Sequence, residues 1–342
     1  PAALLGLLIT SAVNNFWWIQ YAAPVVFVFN LSMLGVQIKK IKSELSGADK
    51  INDILKNYSR MALILEEKKF DSHLLKQLQK IPGNGTSSIS KQLANLSGLF
   101  RNLETISNVL AAFLLNGLFQ YHIHTLHKLL VWKRKHAQHM PEWLDSIGEV
   151  EALNSLANFA ANNPDYAFAE ISQEPVFKFK NLGHPLIMSN KRICNDVDFD
   201  GKRFIILTGS NMSGKSTFLR TVGVNLVLVR MGAPVCAAEA VVFPVDVLTS
   251  IQQSDSLNEN ESYFFAEVKR LKAIMDAASE KTVFVLLDEI LRGTNSDDKR
   301  NGTMEVIRKL AAIGCFGIIA THDLEICNME PDYPGVLSNM CF

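Results

Sequence analysis

Residues 208–220, TGSNMSGKSTFLR, hold two glycines, a lysine and a pair of hydroxyl side chains in a fixed order. The stretch from Gly209 to Ser216 fits the pattern G-x-x-x-x-G-K-[ST]. Glycines let a backbone wrap an anion without Cβ clashes, and the N–H groups at a following helix N-terminus then point at that anion. The order of residues therefore predicts a phosphate-binding loop.

The sequence around the loop supports this prediction, because an apolar run at 204–207 predicts a strand before it and the run 217–229 predicts a helix after it. In such a loop Lys215 reaches the β- and γ-phosphates, and the Ser216 hydroxyl ligates Mg²⁺. The predicted ligands are a nucleoside triphosphate and Mg²⁺. The residues expected to hold the phosphates are Gly209, Ser210, Asn211, Met212, Ser213, Gly214, Lys215, Ser216 and Thr217.

Acidic side chains and a histidine follow two other apolar runs. TVFVLLDE ends in Asp288 and Glu289, and FGIIATHD carries His322. Beside a phosphate loop, Asp288 is predicted to bind Mg²⁺ through water, and Glu289 to polarise the attacking water. His322 is predicted to contact the γ-phosphate or that water. The alternatives are a solvated strand end for the two acids and a hydrogen-bonded strand-end residue for the histidine.

Ser262 begins an amphipathic helical run in SDSLNENESYFFAEVKRLKAIM. A serine at a helix N-terminus suits an anion, so the γ-phosphate of a partner subunit is one candidate contact. An ordinary N-cap explains the residue equally well.

The chain divides into three regions by pattern. From residue 166 onward, short β-type runs alternate with helical ones, which predicts an α/β P-loop ATPase domain with a mostly parallel sheet over 166–342. Residues 39–165 repeat apolar positions at helical spacing and predict an all-α connector, interrupted by a turn at 82–85.

Residues 1–38 contain no charged side chain. The stretch 16–36 is long enough to cross a bilayer, and Trp17, Trp18 and Tyr21 resemble an aromatic belt at one end. Lysines at 39, 40 and 42 follow the other end, so the positive-inside rule places the rest of the chain in the cytoplasm. A buried core helix is the alternative, whereas a secretory signal peptide lacks its basic start and cleavage site here.

Composition narrows the function classes. Lys+Arg 34 equals Asp+Glu 34, so there is no overall basic excess of the kind that nucleic-acid binders often carry. The five cysteines form no CxxC pair, which argues against a disulfide framework or a zinc site and favours a reducing compartment. The chain lacks an initial methionine and ends in an apolar run, so we expect a piece of a longer protein.

These motifs, in this order, resemble the MutS family of ATPases, relatives of the ABC ATPases. The matching stretches are TGSNMSGKSTFLR, DSLNENESYFFAEV, LLDEILRGTNS, IIATHDLEI and NLGHPLI, and they lie within residues 166–342. The helical region is similar to MutS lever helices by pattern. The uncharged N-terminal run is similar to a membrane-anchored bacterial branch of the family.

The resemblance implies a homodimer with composite ATP sites, in which Ser262 contacts the nucleotide of the other subunit. It implies an adenine-contacting segment at Arg192, Ile193 and Asn195, where the family often has an aromatic residue and Arg192 could stack through its guanidinium plane. Asn260 stands where the family usually has glycine. DNA binding is implied by the family, but membrane-like sequence occupies the place of the mismatch-reading domain, so mismatch recognition is not expected.

Two other functions fit parts of the sequence. An ABC-type transport ATPase would explain the apolar N-terminus, but NENES is not its usual LSGGQ-type signature. A membrane scaffold that binds ATP as a clamp would show no turnover. The expected protein is a Mg-dependent ATPase at the bacterial cytoplasmic membrane, with its ATPase domain in the cytoplasm.

Overall fold

The computed structural model describes residues 19–46, 48–80, 88–199, 201–251 and 263–342. The chain divides into two compact units, residues 1–154 and 155–342. The predictions made for the apolar run before residue 19, the turn at 82–85, Asn260 and Ser262 lie outside the described residues.

The described part of the N-terminal unit is helical. The helices are α1 (Ile19–Leu45), α2 (Ala48–Glu67), α3 (His73–Gln79), α4 (Ile89–Glu104), α5 (Val109–Phe119), α6 (Tyr121–His136) and α7 (Met140–Asn162), the last of which continues past the boundary between the units.

Local chemistry sets several ends of these helices. Ser88 caps α4 by accepting a hydrogen bond from the Lys91 amide, and Asn108 caps α5 by accepting one from the Ala111 amide. Such caps satisfy N–H groups that lack a partner in the helix. The core between the helices holds fully buried leucines on α4 and α6, among them Leu93 and Leu129.

The C-terminal unit contains two sheets. Its strands are β1 (Glu170–Ile171), β2 (Phe177–Leu182), β3 (Asn195–Asp198), β4 (Phe204–Thr208), β5 (Glu239–Val242), β6 (Asp246–Ser250), β7 (Val283–Asp288), β8 (Phe316–Ala320) and β9 (Leu337–Cys341). One sheet is parallel throughout, in the order β6-β7-β8-β4-β9. The other has the order β1-β5-β2-β3 and is mixed.

Helices cover both faces of the parallel sheet. Alternate side chains of β4 point to opposite cores: Ile205 and Leu207 pack with α8 (Lys215–Arg230), whereas Phe204 and Ile206 pack with α9 (Tyr263–Glu280) and α10 (Ser296–Ile313). Every residue of β4, β7 and β8 is buried. Burial on both faces explains why these strands are nearly continuous apolar runs. The predicted α/β architecture with a parallel sheet is confirmed.

The strand order determines where polar residues meet. The central strands β7, β8 and β4 are neighbours and run in the same direction, with Asp288 opposite Ala320 and Leu207 opposite Ala320 in register. Their carboxyl ends therefore form one edge, where ligands bind in open α/β sheets. The helix after the loop begins at Lys215, two residues before its predicted start.

Candidate functional site

The phosphate loop connects β4 to α8. Gly209 and Gly214 have φ of 144° and 103°, and Met212 has φ of 66°, so the loop bends through left-handed backbone that favours glycine. A Cβ on Gly209 would meet the carbonyl oxygen of Phe342 and the hydroxyl of Ser213. The glycines at the two ends of the motif are thus required by the backbone conformation and, at Gly209, by close packing.

Lys215 lies inside this loop. Its side chain is 6% exposed, and Nζ donates hydrogen bonds to the carbonyl oxygens of Gly209 (2.7 Å) and Ser210 (2.8 Å). Among the residues that the structure describes, the Ser213 hydroxyl is buried and has no hydrogen-bond partner. A buried ammonium group on two carbonyl oxygens and a hydroxyl of this kind both suit an entering phosphate oxygen. The loop residues therefore fit the predicted nucleotide.

The predicted acidic pair lies at the end of β7. Asp288 is its last residue and is 5% exposed. Glu289 has φ of 47°, an uncommon value for a residue with a side chain, and its amide donates to the Ala320 carbonyl oxygen at 2.9 Å. That bond fixes Glu289 against the end of the neighbouring strand β8. The backbone turn directs the two adjacent carboxylates differently: Asp288 stays buried, and Glu289 takes part in side-chain ion pairs.

Glu289 contacts two cationic or titratable side chains. Its Oε1 is 3.5 Å from His322 Nδ1, and its Oε2 is 3.1 Å from Arg292 Nη2. Arg292 also donates from Nε to the Glu289 carbonyl oxygen at 3.0 Å. The structure therefore brings Glu289 and His322 together as expected and adds Arg292, which the sequence analysis missed. The position of Arg292 three residues after Glu289 was the available signal.

His322 is held in a well-connected segment after β8. The Thr321 amide donates to the Leu207 carbonyl oxygen at 2.9 Å, which ties this segment to the strand that precedes the phosphate loop. Arg300 on α10 pairs with Asp323 at 2.7 Å. Burial alone would raise the pKa of Asp323, but the hydrogen bond from Arg300 and the Glu325 amide outweigh it and lower that pKa. Asp323 stays ionised and anchors the residue next to His322.

The segment predicted to contact adenine is arranged around an arginine. The Arg192 guanidinium lies over the Tyr166 ring, 5.5 Å from its centroid, and donates to the Ile187 carbonyl oxygen at 3.0 and 2.8 Å. Ile193 is 83% exposed, and Asn195 begins β3 opposite Leu182. The guanidinium group thus already has an aromatic cation–π partner, which was not predicted from the sequence.

Burial determines the state of that tyrosine. It raises the pKa of Tyr166 to about 12, with a further contribution from Cys236. The phenol therefore stays neutral at physiological pH and offers Arg192 a cation–π surface.

Asn225 links the phosphate-loop helix to the chain that follows β2. Its buried amide donates to the carbonyl oxygens of Gly183 (3.0 Å) and Thr221 (2.8 Å), and its Oδ1 accepts from the Cys236 amide at 2.7 Å. These bonds hold the chain after β2 at a fixed distance from α8.

Replacing Asn225 with alanine should lower the free energy of unfolding by about 1–3 kcal/mol, because it leaves buried backbone groups of Gly183 and Cys236 unpaired. Urea unfolding measures the change. Val227→Ala, on the same helix at a side chain 46% exposed, is the matched control and should cost less than about 1 kcal/mol. Equal stability of the two variants would contradict a structural role for the Asn225 amide.

Mg²⁺ would find few protein ligands in this site. Among the described residues there is no cluster of three or more His, Cys, Asp or Glu side chains that could hold a metal ion. Asp288 and Ser216 are the predicted contributors, at the end of β7 and in the first turn of α8. Mg²⁺ bound to a nucleotide commonly takes one or two protein oxygens and completes its shell with phosphate oxygens and water, so this donor set fits the ion.

Comparison with known proteins gives a consistent result. Residues 205–341 match the family model described as MutS domain V. The chain is 30% identical over 248 residues to MutS protein homolog 4 of Homo sapiens, which covers 71% of this chain and 24% of that protein. It is 31% identical over 207 residues to the DNA mismatch repair protein MutS of Thermotoga maritima, covering 59% of this chain and 26% of that protein.

A third relative, the DNA mismatch repair protein MutS of Chloroflexus aurantiacus, is 30% identical over 210 residues, covering 59% of this chain and 22% of that protein. The chain thus spans about a quarter of the length of the curated relatives it matches. The domain V match includes the phosphate loop, the acidic pair and His322. Residues 205–341 therefore belong to the MutS domain V family, and the similarity to MutS proteins extends over as much as 71% of the chain.

Proposed function

We propose that this chain is the ATPase part of a Mg-dependent MutS-family protein that hydrolyses ATP. The observation that carries the proposal is the meeting of the phosphate loop, Asp288, Glu289 and His322 at one edge of the parallel sheet, with Glu289 Oε1 3.5 Å from His322 Nδ1. Phosphate-binding, metal-binding and water-activating groups are the three components that this hydrolysis requires.

Each group has a separate task in the proposed reaction. Residues 209–217 bind the phosphates, with Lys215 on the β- and γ-phosphates. Ser216 and Asp288 would hold Mg²⁺, which would neutralise charge on the phosphate oxygens. Glu289 orients the water that attacks the γ-phosphorus as the bond to the β-phosphate oxygen breaks, giving ADP and phosphate. His322 contacts the γ-phosphate or the water, so its contacts change when the γ-phosphate is released.

The Glu289 carboxylate forms an ion pair with Arg292, in addition to its proposed contact with the attacking water. This ion pair uses Glu289 Oε2, an oxygen that the attacking water could otherwise contact. We propose that nucleotide binding transfers Glu289 from Arg292 to the attacking water. At 29% and 20% side-chain exposure the pair is partly solvated, so its strength is modest and an exchange of this kind is energetically accessible.

The adenine is proposed to bind at Arg192, Ile193 and Asn195. The Tyr166 ring orients the Arg192 guanidinium plane, which offers a base-stacking surface where the family often has an aromatic side chain. The exposed Ile193 adds an apolar contact.

Assembly and coupling are proposed from the family. Two copies would form composite sites in which Ser262 of one subunit contacts the nucleotide of the other, and closure of the dimer would move the helices of residues 39–165. DNA is a candidate ligand because relatives of this chain are DNA mismatch repair proteins.

Membrane attachment is a further part of the proposal. The stretch Ala22–Leu45 of α1 is long and apolar enough to cross a membrane, with 6% of its most apolar window buried. A soluble core helix is mostly buried, which this stretch is not, whereas a signal sequence passes the same length and composition test. We place the protein in the bacterial cytoplasmic membrane, with the ATPase unit in the cytoplasm.

ATP hydrolysis by the full-length protein in detergent tests the function directly. The rate is measured without DNA, with matched duplex and with mismatched duplex, each at two salt concentrations. Stimulation by duplex that fades with salt would place the protein on DNA, because phosphate contacts release counterions. A hydrolysis rate that neither duplex changes would reject the proposed DNA binding and leave the proposed ATPase activity standing.

Turnover also separates the alternatives. A scaffold that uses ATP as a clamp would bind nucleotide and release it unchanged, which would reject the hydrolytic proposal. An ABC-type transport ATPase would hydrolyse ATP faster in the presence of a transported solute and would ignore DNA.

A further inference from the structure

The segment from residue 105 to residue 127 contains no Lys, Arg, Asp or Glu. It includes α5, and the sequence pattern placed it among ordinary packed helices. In the structure, α5 turns a broad apolar face outward. Its exposed side chains are Val109 (82%), Leu110 (69%), Phe113 (49%), Leu114 (46%) and Phe119 (37%).

The first four of these side chains lie on one face of α5. Positions 109, 110, 113 and 114 follow the i, i+1, i+4, i+5 spacing that aligns residues along a helix. Ala112, on another side of the helix, and Asn116 and Gly117, nearer its C-terminal end, are buried. A helix of a water-soluble unit would cover a row of large apolar side chains, whereas the first half of α5 exposes one.

Helix α5 contacts α1 through Phe113 and through its C-terminal end. Phe113 packs edge-to-face on Phe27, with ring centroids 5.1 Å apart. Asn30 on α1 donates from Nδ2 to the Gly117 carbonyl oxygen at 2.8 Å and accepts from Gln120 Nε2 at 2.7 Å. Asn30 is 5% exposed, so the end of α5 satisfies the polar side chain in the middle of the apolar stretch of α1. A buried asparagine needs such partners most where water is absent.

Helix α1 is apolar on its outer side as well, with Val25, Val28 and Val36 more than 60% exposed. Together these residues and the exposed face of α5 form what we call the α1–α5 apolar surface. Its two helices are joined by the contacts of Phe27 and Asn30.

Basic side chains border the apolar stretches of these helices. Lys39, Lys40 and Lys42 follow the uncharged part of α1 and are exposed, and the end of α6 carries exposed Lys133, Arg134 and Lys135. Lys133 forms an ion pair with Glu44, which brings the basic end of α6 to the end of α1. An uncharged surface bordered by lysine and arginine matches a bilayer with anionic headgroups better than it matches the mixed polar rim of a protein interface.

We propose that α5 is a second lipid-contacting helix, which inserts beside α1 into one leaflet of an anionic phospholipid membrane. With its 11 residues it is about 16 Å long, roughly half the thickness of the hydrocarbon core, so it enters the bilayer without crossing it. The inference rests on the proposed membrane attachment through α1, and it makes the helical region a membrane-contacting element.

Photo-crosslinking tests this at single positions. Benzoylphenylalanine is introduced in separate full-length proteins at Leu110, at Val28 on α1 and at Ile64 on α2. These side chains have nearly equal exposure (69%, 64% and 66%), so accessibility does not distinguish them. The proteins are reconstituted in vesicles of phosphatidylethanolamine and phosphatidylglycerol, irradiated and analysed by mass spectrometry, and circular dichroism checks that each retains its helices.

We expect phospholipid adducts at Leu110 within about threefold of the yield at Val28 and at least about tenfold above the yield at Ile64. Adducts at Val28 but not at Leu110 would overturn the inference and leave the attachment through α1 intact. Absence of adducts at Leu110 and at Val28 would reject the lipid contact of α5 and the membrane attachment through α1. Crosslinks from Leu110 to a second copy of the chain would also overturn the inference, because they would show that α5 contacts another protein chain and not lipid. ATP hydrolysis is a separate readout that none of these outcomes decides.

Discussion

Replacing Glu289 with glutamine is expected to lower kcat for ATP hydrolysis by about 10²–10⁴-fold, the usual contribution of a general base. Glutamine keeps the size of the side chain and one acceptor oxygen but cannot accept a proton or polarise water as a carboxylate does. The backbone bond from residue 289 to the Ala320 carbonyl oxygen does not depend on the side chain, so the turn after β7 should persist. Affinity for ATP should change by less than about threefold, because the residue acts in the transition state.

Glu305→Gln is the matched control for this experiment. Glu305 lies on α10, has 48% side-chain exposure and pairs with Arg308. The Glu305→Gln substitution removes the same charge from the same unit as Glu289→Gln. It should leave kcat within about twofold of the unsubstituted protein. Single-turnover hydrolysis and binding of a fluorescent ATP analogue measure the two quantities. Retained turnover in Glu289→Gln would remove Glu289 from the water-activating role, and lost nucleotide binding would show that it supports the site structurally.

Arg292 adds a second expectation to the same assay. If the ion pair with Glu289 holds the carboxylate away from water, Arg292→Ala should release it and leave kcat equal or higher. A fall in kcat comparable to that of Glu289→Gln would instead give Arg292 a direct role at the phosphate.

The parallel sheet and the positions of the candidate site residues could be predicted from sequence. The strands that carry Asp288 and precede Gly209 are buried on both faces, and such strands must be continuous apolar runs, which are easy to recognise. The polar residues then fall at strand ends, and parallel strands bring those ends to one edge. The prediction needed only local pattern and one topological rule.

Contacts between distant parts of the chain could not be predicted in the same way. Tyr166 meets Arg192, and Asn225 meets Gly183, because the chain after β2 returns to the phosphate-loop helix. Nothing in the residue types at these positions specifies the partner. The positive φ of Glu289 has the same origin, since the Ala320 carbonyl oxygen on another strand accepts its amide hydrogen bond. These contacts determine where the side chains point, and the sequence pattern does not predict that.

The apolar face of α5 is an intermediate case. The absence of charge from 105 to 127 was visible in the sequence, but helical periodicity alone cannot distinguish a buried helix from one that faces lipid. The structure decides which part of the helix is covered, because Asn116 and Gly117 near its C-terminal end are buried, whereas Val109 and Leu110 at its start are exposed.

Replacing Lys215 with alanine is expected to weaken ATP binding by at least about a hundredfold, because charge-assisted hydrogen bonds to the β- and γ-phosphates are lost. The lysine Nζ donates to the carbonyl oxygens of Gly209 and Ser210, within the loop that would receive the phosphates. The substitution therefore removes the cation and leaves two carbonyl oxygens facing an anion. Isothermal titration with ATP and Mg²⁺ measures the loss.

Two comparisons make the Lys215 result interpretable. Lys309→Ala removes the same charge from an exposed position on α10 and should leave the affinity within about twofold, because surface charges far from a ligand are screened. Binding of ADP should weaken less than binding of ATP, since ADP lacks the γ-phosphate that the ammonium also contacts. Equal losses of affinity for ADP and ATP would indicate that Lys215 contacts the β-phosphate and not the γ-phosphate. An affinity equal to that of the Lys309→Ala protein would mean that this loop does not bind the polyphosphate, and the ATPase proposal would fail at its first step.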